Sequence, residues 1–240
     1  MALIRCPECG KEISDKADFC VSCGCPANEW KFEKRDTTSN KPTYSSIVVG
    51  DTLVFGSYPQ TKFGQLRPIE WLVLDKYENE FFLISKYALD CKPYDDGRES
   101  ITWENCTLRE WLNNEFFDEG FSTDEKTMIQ YVTVPAERNS EYDTNPGDDT
   151  VDRVFLLSVG EVKKYFPADE SRICAPTEYA VRQDAEEYDN GCYWWLRSPG
   201  EDGSSAACID NDYGFVDSEG LPVSESDVAV RPAIWVTLES

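Results

Sequence analysis

Two short cysteine motifs constrain this chain more than anything else in it. Cys6-Pro7-Glu8-Cys9-Gly10 is followed by Cys20-Val21-Ser22-Cys23-Gly24, with ten residues between Cys9 and Cys20. Each CxxC turn aims two sulfurs at one point. The glycine that follows admits the positive φ at which backbone N–H groups face the thiolates. Four thiolates so spaced suit a tetrahedral zinc ion, so one structural zinc is expected on Cys6, Cys9, Cys20 and Cys23, in a closed site without catalysis. Some twenty residues cannot build a core, so the metal is what folds this unit. Cys25 follows directly, with Pro26 behind it, and reads as a bystander thiol.

The remaining cysteines are read through the redox compartment. Met1-Ala2-Leu3-Ile4-Arg5-Cys6 lacks the apolar run of a signal peptide, and no stretch of about twenty apolar residues exists to span a membrane. A cytoplasmic location without a membrane partner is therefore expected. Ten cysteines in a reducing compartment are metal ligands and buried thiols rather than disulfides.

Charge is distributed unevenly. The chain carries 23 basic and 46 acidic residues, a net −23. Residues 1–35 hold six of each sign, so the whole excess lies beyond them. Such a field repels phosphate backbones and argues against a nucleic-acid partner for the large domain. Histidine is absent, which removes Ser-His-Asp, Cys-His and His-metal chemistry. With 46 carboxylates, pairs of them arise by chance and do not indicate a hydrolase; no enzyme activity is expected. The expected layout is a metal-bound unit at 1–27, a polar linker at 28–46 and a large domain at 47–240.

Within the large domain, Thr52–Gly56 reads as a strand. Pro68–Asp75 and Glu80–Ser85 read as a hairpin joined at Tyr77-Glu78-Asn79. Residues 90–101 and 139–152 read as loops, the second on the surface. Thr107 with Glu110 reads as a capping box for a helix whose Leu108, Trp111, Leu112 and Phe116 share one face. Ser122 with Glu125 and Ser158 with Glu161 give two more capping boxes, the latter after an apolar strand at Val154–Leu157. Thr177–Arg182 is a further helix. Strands, helices, then strands make an α+β chain rather than an alternating α/β one. Trp71, Trp111 and Trp235 are expected in its core.

The last part of the chain has two apolar, aromatic frames, Gly191–Gly200 and Val228–Val236. Between Arg197 and Arg231 lie thirty-three residues with no Lys or Arg and eight carboxylates. One reading is a β-hairpin with a solvated acidic turn. The other is a display surface, in which Asp202, Ser204, Asp210, Asp212, Tyr213, Phe215, Asp217 and Glu219 form one contiguous exposed patch. Trp194 and Trp195 point to opposite faces of a strand; either both are buried, or Trp195 floors the binding surface. Arg197 and Arg231 are read as holding the acidic stretch by internal ion pairs. Asp210-Asn211-Asp212 clusters oxygens that calcium could use, though without EF-hand spacing.

Several blocks carry family resemblances. The N-terminal motifs, with Ile13, Ala17 and Phe19 between them, resemble the short bacterial zinc ribbons. Ile69–Asp75, Ile101–Asn113, Trp194–Gly200 and Val230-Arg231-Pro232-Ala233 resemble a bacterial family of unknown-function domains with a C-type-lectin-like fold. Members often follow a zinc ribbon, and some are similar to the variable proteins of diversity-generating retroelements. The resemblance implies a scaffold that displays the segment 201–227 to a protein or other macromolecular ligand. Two alternatives stand beside it. One is a cytoplasmic zinc-ribbon adaptor whose large domain is purely structural. The other is an enzyme of the formylglycine-generating type, which shares the broad fold and uses paired cysteines; here Cys192 and Cys208 stand in a different context.

Overall fold

The computed structural model describes residues 3–5, 11–14, 17, 19–21, 44–97, 100–189 and 191–238. The chain divides into two compact units, Met1–Lys41 and Pro42–Ser240. In the first, β1 (Leu3–Arg5) and β2 (Glu12–Ser14) pair antiparallel, with Ile4 opposite Ile13. Phe19 is exposed and Cys20 is buried. Of the four expected zinc ligands, Cys20 alone is among the described residues; Cys6, Cys9 and Cys23 lie outside them. The second unit takes in the end of the expected linker, because Tyr44–Ser46 form a 3-10 turn and Tyr44 packs on the core.

Early strands of the large unit are β3 (Thr52–Pro59), β4 (Leu66–Tyr77), β5 (Glu80–Ser85) and β6 (Asp90–Cys91). Then come β7 (Val132–Val134), β8 (Thr150–Asp152), β9 (Val154–Phe155), β10 (Glu187–Tyr188) and β11 (Gly191–Cys192). Last are β12 (Trp194–Pro199), β13 (Ser205–Ile209), β14 (Val216–Pro222), β15 (Ala229–Val230) and β16 (Ala233–Thr237). Two five-stranded sheets result, in the orders β3-β4-β5-β16-β9 and β14-β13-β12-β15-β6. The first is wholly antiparallel, so the last strand of the chain closes the sheet begun by the first hairpin. The second contains one parallel pair, β12 with β15. The helices are α1 (Thr107–Trp111), α2 (Phe117–Gly120), α3 (Thr123–Met128), α4 (Val159–Tyr165) and α5 (Glu178–Arg182). The class is α+β, mostly sheet with a few short helices.

Local signals translate directly where they are self-contained. Ser122 with Glu125 and Ser158 with Glu161 form complete capping boxes at the starts of α3 and α4. Thr177 caps α5 through its hydroxyl, which accepts from the Ala180 N–H at 3.1 Å. The β4–β5 hairpin forms with Glu78 in the left-handed region, φ 54°. The capping box expected at Thr107 does not form. Cys106 is the N-cap, its sulfur accepting from the Arg109 N–H, while the Thr107 hydroxyl accepts from the Asp96 N–H. From α1 the chain passes through a π-helical stretch, Leu112–Phe116, into α2. Leu108, Leu112 and Phe116 are buried, but Trp111 is only partly so and lies under the Lys92 ammonium at 4.7 Å. Trp235 is also marginal and stacks on Phe82 at 5.0 Å, whereas Trp71 is fully buried and donates to the Phe55 carbonyl at 2.7 Å.

The stretch 139–152, expected as a surface loop, is anchored at both ends. Asn139 is buried, its amide donating to the carbonyls of Pro199 (2.9 Å) and Ser218 (2.6 Å). Asp152 is fully buried and accepts from Arg109 Nε (2.7 Å), Trp103 Nε1 (3.0 Å) and Thr150 Oγ1 (2.7 Å). Asn113 completes this corner by accepting from the Arg153 and Val154 N–H groups and donating to the Val154 carbonyl. Trp103, Arg109 and Asn113 therefore serve to pin β8 and β9 to the helix. A buried carboxylate tolerates that position because a cation and two further donors satisfy it.

Candidate functional site

The framed segment is not one open display. β12, the Trp-Trp-Leu-Arg-Ser-Pro strand, is buried along its whole length, and so is β13, Ser205-Ala206-Ala207-Cys208-Ile209. β13 lies between β12 and β14 in the second sheet, and its small side chains suit that position. Trp195 is 0% exposed and donates from Nε1 to the Lys92 carbonyl at 2.9 Å, so it offers no face to a ligand. Trp194 is equally buried and donates to the Arg172 carbonyl.

The two framing arginines do not hold the acidic stretch either. Arg197 pairs with the Glu161 carboxylate and donates to the Leu156 carbonyl at 2.9 Å. Arg231 donates to the Ser85 carbonyl at 3.0 Å, and its guanidinium lies 4.9 Å from the Trp194 ring centroid and 5.3 Å from that of Phe166. Both are buried parts of the scaffold, and their partners come from other elements.

Most of the eight expected positions lie at the two ends of β13. Asp202 and Ser204 lie in the turn before it; both the Ser204 hydroxyl and its N–H donate to the Asp202 Oδ1, which lowers the Asp202 pKa. Glu219 joins this end, since its carbonyl accepts from the Glu201 N–H. Thr144 caps the same corner by donating to the carbonyls of Gly200 and Glu201. Asp210, Asp212, Tyr213 and Phe215 lie in the turn after β13. A five-residue strand puts roughly 17 Å between the two ends. Asp217, on β14 opposite Cys208, belongs to the second end. The expected eight residues thus form two patches, not one.

The turn 210–215 is built to hold its shape. One oxygen of Asp210 accepts from three successive N–H groups, those of Asp212 (3.1 Å), Tyr213 (2.8 Å) and Gly214 (2.8 Å). Gly214 has φ 73°, and a Cβ there would collide with the Asp169 carbonyl, so only glycine fits both the dihedral and the space. On this base Tyr213 and Phe215 stack, ring centroids 5.5 Å apart and planes at 19°, yet they stay 61% and 50% exposed. Two stacked aromatics on this turn are thus left in water. Asp210 Oδ1 is occupied by the three backbone N–H groups. No cluster of three His, Cys, Asp or Glu side chains suited to a metal occurs among the described residues.

Sequence reasoning missed the neighbours of this turn. Arg172 donates to the Gly214 carbonyl and pairs with Asp169. A Cβ on Gly191 would meet the Asn211 carbonyl, so the β10–β11 hairpin abuts the turn. Ile173 touches both glycine positions, and on that hairpin Tyr188 is exposed. No local signal links 169–173 to 210–215; only the fold brings them together. The buried thiols of the large unit, by contrast, sit where burial favours the neutral form. Burial pushes Cys91 and Cys106 up to about 12 and raises Cys174, Cys192 and Cys208 as well. Cys192 and Cys208 pair with different partners, Glu187 and Trp195, across their ladders.

The family comparison bears on the same residues. A family model described as "Domain of unknown function (DUF6273)" matches residues 78–238, more than half of the chain. The chain belongs to the DUF6273 family. The match takes in the Trp103–Asn113 corner, β12 and the Arg231-Pro232 segment, while the block Ile69–Asp75 lies outside it. A zinc-ribbon domain model matches residues 5–27. No curated protein and no solved structure matches the chain. The ribbon match implies zinc, and the donor set fits: four soft thiolates in two CxxCG pairs, one of them the buried Cys20. No helix among the described residues of this DUF6273 protein is long and apolar enough to cross a membrane.

Proposed function

We propose that this DUF6273 protein is a ligand-binding display protein of the cytoplasm, not an enzyme. In this reading the large unit is a C-type-lectin-like scaffold and the ribbon is an adaptor, holding one structural zinc on Cys6, Cys9, Cys20 and Cys23. The observation that carries it is the stacked, exposed Tyr213–Phe215 pair on a turn locked by Asp210 and Gly214. A rigid aromatic anchor gains binding energy without an ordering cost, which is what preorganised binding surfaces exploit.

The retroelement reading enters here in a narrower form. Buried β13 has no room for varied side chains, so diversification spares 205–209 and is left to positions 202, 204, 210–213, 215, 217 and 219. In sequenced relatives of this locus, nucleotide changes are expected at those codons and not at 205–209, beside a reverse transcriptase and a template repeat. A locus without these features removes the retroelement link and leaves the binding reading standing. The binding reading itself is tested by capture from a lysate of the source cells. The intact chain should retain a partner that the Tyr213→Ala/Phe215→Ala variant, melting at the same temperature, does not. Equal capture by both proteins would show that the turn is not the binding surface.

A further inference from the structure

Three segments meet around Ile173: residues 169–173, the hairpin 187–192 and the turn 210–215. The Ile173 side chain lies against both Gly191 and Gly214. Together these segments carry Asp169, Glu170, Glu187, Asp189 and Asp212, all of them wholly or partly exposed. The one Lys or Arg in their sequence is Arg172, and it is buried. Its guanidinium is already engaged with Asp169 and with the carbonyls of Phe166 (2.8 Å) and Gly214 (3.4 Å). Asp169 is paired with Arg172, whereas Glu170, Glu187, Asp189 and Asp212 form no ion pair among the described residues, so the exposed aromatic pair shares its surface with an excess of carboxylates.

We propose that this surface binds a basic protein segment through an arginine, whose guanidinium stacks on the Tyr213–Phe215 face while the surrounding carboxylates take its N–H groups. The proposal rests on the binding reading above and names its ligand class. A planar guanidinium stacks on aromatic rings and offers five donors in one plane, which a lysine ammonium does not. The charge of the surround excludes phosphate-bearing and anionic-lipid partners by repulsion. Three N–H groups of the turn donate to the Asp210 carboxylate, which fixes the backbone that carries the two rings.

The test is a calorimetric titration of the zinc-loaded full chain, at about 0.15 M salt, with two blocked peptides. One is Gly-Ser-Arg-Gly-Ser-Arg-Gly and the other has lysine in place of both arginines. Their charge is the same, so unspecific attraction to an acidic protein treats them alike. The arginine peptide is expected to bind on the order of threefold tighter, because the planar guanidinium stacks and presents paired donors where the ammonium offers a point charge. Tyr213→Ala/Phe215→Ala leaves the protein's charge unchanged and should abolish that preference. A second pair, Tyr213→Leu/Phe215→Leu, keeps apolar bulk without the π face and should abolish it too; it decides the matter if the alanine pair fails to fold. Equal affinities, no binding of either peptide, or a preference that survives the substitutions would overturn the proposal. Loss of natural-partner capture in the alanine pair, with no arginine preference in the parent, would sink this ligand class while leaving the binding surface intact.

Discussion

The phenol of Tyr58 donates a 2.5 Å hydrogen bond to the carboxylate of Asp90, and this bond ties β3 of one sheet to β6 of the other. Both groups are buried, and no cation forms an ion pair with Asp90 among the described residues. Burial raises the Asp90 pKa above 3.8, against smaller opposing contributions from the Tyr58 hydroxyl and the Cys91 N–H. The same burial raises the Tyr58 pKa. A carboxyl raised in the folded state favours folding in its protonated form. Its contribution is fully present below the unfolded value of about 3.9 and is lost as pH rises through the folded one. Asp90→Asn removes this titration. Melts of parent and variant from acid toward neutral pH should show the parent losing stability relative to Asp90→Asn. A pH-independent difference would mean that Asp90 is not destabilised by its charge.

The Asp152 corner should respond to the loss of its cation. Arg109→Met leaves a fully buried carboxylate with only the Trp103 and Thr150 donors. Breaking such a pair costs about 3–5 kcal/mol, and the partial exposure of Arg109 places the expected loss at the lower end. Urea denaturation measures it. A loss under about 1 kcal/mol would show that the hydrogen bonds suffice without the charge.

Gly214 and Tyr213 are neighbours with opposite expectations. Gly214→Ala meets both the positive φ and the Asp169 carbonyl, and should destabilise by more than about 1 kcal/mol. Tyr213→Ser removes an exposed ring and should change stability by no more than about 0.5 kcal/mol. Thermal melts of the two variants compare them directly, and equal effects would contradict the turn geometry.

Zinc removal separates the two units. One zinc per chain is expected by elemental analysis, and Cys9→Ser should lose it. Chelation should leave the melting of the large unit unchanged, since that unit has its own core. A chelator that lowers the main transition would show that the ribbon's fold and the large unit are coupled.

The sequence by itself determined what is local. The Ser122 and Ser158 capping boxes, the Glu78-Asn79 turn and the CxxCG spacing each depend on residues a few positions apart, and such short-range signals hold where no distant partner competes, as Asp96 does for the Thr107 hydroxyl. The α+β class followed from the order of those elements. What the tertiary structure decided is which polar stretches face water. Ser205–Ile209 lies in an acidic, loop-like stretch, yet it becomes a buried strand because β12 and β14 bond to both its edges. Arg197 and Arg231 look like partners for the acidic stretch but find a carboxylate at Glu161 and a carbonyl at Ser85 instead. Burial of a charge depends on partners distant in sequence, and nothing within the segment announces them. For the same reason the Tyr213–Phe215 pair was legible as two residues, but its support by Asp169, Arg172, Ile173 and Gly191 exists only once the chain has folded.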